Sequence, residues 1–135
     1  MGIRQDYLKK QFDQMAKIIG KLLADLIGLK NDSRITEAVS LVDKVFETDL
    51  HFNFDELLKV EDDKLINFLT KEKQFSLETI EGIANILFEL GDAFEDKNKK
   101  QHYFKKAISL FQYLAKERKT VSFDFMIKIN KMNEK

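Results

Sequence analysis

Histidines, carboxylates and lysines are the residues of this chain whose spacing could do chemistry. Cysteine is absent, which removes disulfides and thiolate metal sites, and no glycine-rich phosphate loop, nucleophile elbow or HExxH pair occurs. A zinc ion would need histidine and carboxylate ligands, and only His51 has a ligand-type residue one helical turn away, at Asp55; His102 has none. A surface histidine at a helix end is the simpler reading of His51. Glu61, Asp62 and Asp63 could attract a cation, but they stand just before Leu65, where carboxylates offset the dipole at a helix N-terminus. Paired carboxylates are inevitable in a chain with 23 acids and distinguish nothing. No catalytic, cofactor or metal residue is assigned, and the chain is not read as an enzyme.

Charge is the more telling chemistry. The formal net charge is zero, yet residues 1–31 carry +3, residues 32–96 carry −11 and residues 97–135 carry +8. The basic third includes Lys97, Lys99, Lys100, Lys105, Lys106, Lys116, Arg118 and Lys119, which could neutralise a nucleic acid or another anionic partner. Only one of these is arginine, the residue suited to bidentate phosphate recognition, and Tyr103, Phe104 and Phe111 fit a core better than a stacking platform. The simplest expectation is that the basic end faces the acidic middle, within one chain or between copies.

The elements that must position these charges read as helices. Proline is absent and only five glycines occur, too little turn chemistry for a fold of many short strands. At 135 residues and 44% hydrophobic the chain can enclose one core, so a single domain is expected. The first helix, about Arg4 to Lys30, places Ala16, Gly20, Ala24 and Gly28 in a ridge of small side chains. Each glycine costs a helix interior about 1 kcal/mol against alanine, so close approach of another surface is the expected reason for the ridge. Leu8, Phe12, Met15, Ile19, Leu22, Leu26 and Leu29 form an a/d seam, leaving only a thin wet strip at Lys17, Lys21 and Asp25, so more than one neighbour should cover this helix. Those charges interrupt any run of about 20 apolar residues, and Arg4, Asp6, Lys9, Lys10 and Asp13 mix signs where an interfacial helix would be cationic. No membrane span is expected. The opening MGIRQDYLKK lacks the regions of a secretory signal, which reads as cytoplasmic.

Further along, Asn31, Asp32 and Ser33 favour a turn and a cap for a helix running to about Asp49. A short helix opens at Asn53 and Phe54 and ends near Lys59, and another spans about Asp62 to Lys71. Ser76 caps a long helix to about Asp96, and after a polar DKNKKQ turn a helix runs from about Lys99 to Lys116. The tail from Val121 alternates like a strand and also fits helical spacing; a lone strand would have no partner, so helix is preferred. The organisation is an all-α bundle of six to seven helices. It comprises a hairpin over residues 1–50, short helices over 51–75, a second hairpin over 76–119 and a C-terminal helix over 120–135.

An internal match supports the two hairpins. Ala38-Val39-Ser40-Leu41-Val42 aligns with Ala107-Ile108-Ser109-Leu110-Phe111, each followed three residues on by an aliphatic, Val45 or Leu114. Leu87, Leu90, Gly91 and Phe94, with Phe104 and Ala107, resemble the first and second helices of a tetratricopeptide (TPR) repeat. The turn is shorter than in that repeat, Lys100 stands at a small-residue position, and no proline closes the motif. Ile3-Arg4-Gln5-Asp6-Tyr7-Leu8, the helix around Gln14 to Ile19, Glu37-Ala38 and the later hairpin together resemble a family of uncharacterised bacterial helical proteins. The resemblance implies a TPR-like helical fold. It supplies no catalytic or binding residues.

The functional expectation is a non-catalytic protein-protein interaction module that pairs with a protein partner, including itself as a homodimer, through the N-terminal helix. The alternative is binding of nucleic acid or another anionic partner through residues 97–119.

Overall fold

Leu77–Ala93 is apolar on nearly every side, and such a helix has to be enclosed by others. In the computed structural model, which describes residues 2–119 and 123–133 with side chains from Gln14 to Lys119 and from Asp124 to Asn133, this segment is helix α5 at the centre of an all-helical bundle. The other elements are α1 (Gly2–Asn31), α2 (Ile35–Asp49), α3 (Phe54–Lys59), a 3₁₀ turn (Asp62–Lys64), α4 (Leu65–Asn67), a π turn (Phe68–Glu72), α6 (Lys97–Arg118) and α7 (Phe123–Asn133). No strand occurs among the described residues. The tail from Phe123 is therefore helix, with Phe125 and Met132 turned into the core.

Two hairpins, α1–α2 and α5–α6, stack through α1 against α5, and α7 packs on α6. The repeated segments sit at corresponding places, with Ala38 and Val42 of α2 and Ala107 and Phe111 of α6 all fully enclosed. Ser76 caps α5 by accepting from the Thr79 N–H, as expected, and Asn53, where a short helix was expected to open, caps α3 by accepting from the Asp55 N–H. The segment expected as one helix from Asp62 instead changes pitch twice, from 3₁₀ through α to π. The polar DKNKKQ stretch is not a turn. Asp96 accepts from the Asn98 N–H and starts α6 at Lys97, so the connection shrinks to Phe94–Asp96.

With so few glycines, the turns take left-handed conformations at ordinary residues: Ser33, His51, Gln74 and Lys119 have φ of 53–60°. Ser33 does not cap α2. The Arg34 N–H reaches back to the Leu29 carbonyl (2.9 Å) and the Ser33 N–H to that of Lys30 (3.0 Å), which closes α1 in a Schellman arrangement with Ser33 where glycine is usual.

Close approach between helices does involve glycines, but on α5. A methyl group at Gly82 would overlap Cγ2 of Ile19, and one at Gly91 would lie 2.7 Å from the Phe104 ring. At Gly20 and Gly28 a methyl would meet nothing within 4 Å. Opposite signs follow. Gly20→Ala is expected to raise stability by about 1 kcal/mol through helix propensity. Gly82→Ala is expected to lower it by about 1–2 kcal/mol, overpacking against Ile19 outweighing the same propensity gain. Urea unfolding of the two variants checks this, and shifts of the same sign would contradict the packing described.

Candidate interaction surfaces

The outer side of α1 follows from which of its residues the bundle takes. Ile19, Leu22 and Leu26 are buried, so this half of the seam is filled by α2 and α5 of the same chain, two neighbours as expected. Leu8 and Phe12 lie outside the described side chains. The ridge faces the other way: Gly20, Ala24 and Gly28 are exposed, Ala16 is half-buried, and Ile27 beside them is 37% exposed. Among the described residues, nothing lies within 4 Å of where a methyl group would stand at Gly20 or Gly28.

The basic third divides into paired and free groups. Lys106 is a correction to the sequence reading, because it is 1% exposed and cannot meet an outside anion. Its stem packs under the segment after α3, and its ammonium donates to the Val60 carbonyl and to Asp62 Oδ1 (3.0 Å). Lys100 donates to the main-chain oxygen of Asp92 (3.0 Å), and Arg118 pairs with Glu81 and lies over the Phe125 ring. Lys97, Lys99, Lys105 and Lys119 are exposed, with Lys99 placed 5.8 Å from the centre of the Phe94 ring. Base and acid thus meet within the chain at Lys106–Asp62 and Arg118–Glu81, which draws down the charge polarity seen along the sequence.

A further junction was not legible beforehand. The Asp92 carboxylate, 10% exposed, receives Lys30 at 2.6 Å and Lys131 at 3.6 Å, and Lys30 also reaches Glu89 at 2.9 Å. Together with the Lys100 bond, α5 is tied here to α1, α6 and α7. Burial alone would draw the Lys30 pKa down, but its hydrogen bonds to Asp92 and Glu89 outweigh that and hold it above the ordinary lysine value.

Acids of α2 and α3 gather near Tyr103. Burial, then the charges of Asp55 and Glu47, raise the Asp43 carboxyl above the usual range. Burial and the charges of Asp43 and Asp55 push the Tyr103 phenol up to about 12. His51 is exposed, and His102 is in hydrogen-bond contact with the Leu58 carbonyl through Nε2 (2.9 Å). No three potential metal ligands converge among the described residues. Glu61 pairs with Lys64 at 3.6 Å and Asp62 with Lys106, so both acids have protein partners.

The remaining concave surfaces are open grooves. One, of about 570 Å³, runs between α1 and α2 over Ile18, Leu22, Leu41 and Val45. These features define an all-α bundle of stacked helical hairpins, and no described helix is long and apolar enough to cross a membrane. Comparison of the chain with protein-family models, with curated proteins and with solved structures finds no match.

Proposed function

We propose that this chain is a non-catalytic, TPR-like interaction module of the bacterial cytoplasm that binds protein, a second copy of itself included, through the N-terminal helix. The observation that carries the reading is the outer side of α1, where small residues and Ile27 stay exposed although α2 and α5 fill the opposite side. Small side chains allow two backbones to come close, and glycine on an exposed helix otherwise only weakens it. The TPR-like part of the proposal is supported by Gly91, whose lack of a side chain makes room for the Phe104 ring within the second hairpin.

Light scattering over a wide dilution series tests self-association. The expected result is a mass that rises above the 15.9 kDa of one chain as concentration increases. Lys105→Glu, on the exposed side of α6, is expected to leave that rise unchanged. A strict monomer throughout would overturn the reading.

A further inference from the structure

Tyr103 is only 8% exposed, yet its hydroxyl makes no hydrogen bond among the described residues. A phenol this far from water normally has a partner. Its Cβ lies 3.2 Å from where a methyl group would stand at Gly91 of α5, and its ring packs on Phe94 at 4.9 Å between centres. From there the side chain reaches toward α2 and α3, where Asp43 and Asp55 supply the charges that act on its phenol. Tyr103 also lines an open groove of about 440 Å³ between α2 and the start of α6. Ile35, Val39 and Phe94 form the apolar walls of that groove, and Ser40 adds a polar edge.

The carboxylates beside the phenol are unsatisfied as well. Asp43 and Glu47 stand one turn apart on α2 and Asp55 on α3, and none of the three has an ion pair among the described residues. Burial, then the charges of Asp55 and Glu47, hold the Asp43 carboxyl above the usual range, so its ionisation weakens the fold instead of supporting it. Lys99 stands one turn before Tyr103 on α6 and lies over the Phe94 ring without reaching an acid. Aromatic walls, a free hydroxyl and uncompensated carboxylates together match a guanidinium, which is planar, weakly hydrated, rich in donors and able to stack on a ring. A metal ion matches less well, because no three potential ligands converge among the described residues.

We infer that this groove receives an arginine side chain of a partner protein, its apolar stem along Val39 and Phe94 and its guanidinium among Asp43, Asp55 and the Tyr103 hydroxyl. Lys99 repels a cation from the other end, which fixes the direction of entry. The surface is separate from the outer side of α1, so the inference stands or falls independently of self-association.

N-acetyl-arginine amide is the probe and N-acetyl-citrulline amide its uncharged isostere, each titrated into the full chain and followed by amide NMR shifts. The arginine probe is expected to move the signals of Val39, Asp43, Asp55 and Tyr103 with a millimolar dissociation constant, and the citrulline probe to bind about fivefold more weakly or less. Tyr103→Phe is expected to weaken the arginine probe about tenfold and Asp43→Asn about fivefold. Both variants should be at least as stable as wild type, since each loses a polar group that the fold leaves unpaired. Glu78→Gln, at the far end of α5 from Phe94, is expected to change nothing. Absence of shifts with the arginine probe, or equal binding of the two probes, would overturn the assignment. So would a loss in Glu78→Gln as large as that in Asp43→Asn, which would reduce the attraction to net charge. A Tyr103→Phe chain that unfolds more easily would overturn it too, by showing that the hydroxyl has a partner within the fold.

Discussion

Lys106→Ala is expected to lower the stability of the chain by about 3 kcal/mol, more than any other substitution of a charged residue on α6. Three losses combine. The four-carbon stem of a side chain only 1% exposed leaves a cavity under the segment that joins α3 to α4. The Val60 carbonyl loses its charged donor. Asp62 loses its partner, which matters least because it is 44% exposed and returns to water. Lys106→Met separates these terms. It keeps most of the apolar stem and removes the charge, so a loss of about 1–2 kcal/mol is expected. Urea unfolding should therefore order the proteins wild type, then Met, then Ala. A methionine variant as stable as wild type would show that the polar end of Lys106 adds nothing.

The same residue shows what helical periodicity can and cannot read. The helical period turns Tyr103, Phe104, Ala107, Ile108, Leu110, Phe111 and Leu114 inward; six of these seven are buried and Ile108 is half-buried. It placed Lys106 outward because lysine counts as polar, although its stem is apolar and only the tip needs a partner. Where a flanking segment supplies that partner, a lysine can lie in the core, and no local pattern announces the segment. The ridge on α1 is the converse case. Its spacing was legible, but the face of a helix that meets a neighbour depends on the whole bundle. The glycine that lets α1 approach α5 closely is Gly82, which carries no repeat signal, whereas Gly91 against Phe104 belongs to the repeat pattern. Ser33 illustrates a third limit: a residue suited to capping also tolerates a left-handed turn when the closing hydrogen bonds demand one. Asp92 is one acid among seventeen in the acidic middle, and only the convergence of Lys30 and Lys131 on it distinguishes it from the rest.

Phe111→Ala is expected to cost about 3–5 kcal/mol, the usual loss for a fully enclosed aromatic. The ring stands where three helices meet. Its centre is 4.9 Å from that of Phe125 on α7, and the Lys128 ammonium lies over both Phe111 and Phe88 of α5. Its loss should therefore be felt on both sides of α6. Phe125→Ala removes the other half of the same ring pair, but α7 is an outer element, and the loss cannot exceed the free energy with which α7 docks. Once α7 has undocked, the other helices no longer sense the missing ring. Amide exchange separates the two cases. In Phe125→Ala, protection should fall across residues 123–133 while α5 and α6 keep theirs. In Phe111→Ala, protection should fall in α5, α6 and α7 together. Exchange confined to α7 in both variants would mean that Phe111 serves only to seat the last helix, and that the α5–α6 hairpin holds without it.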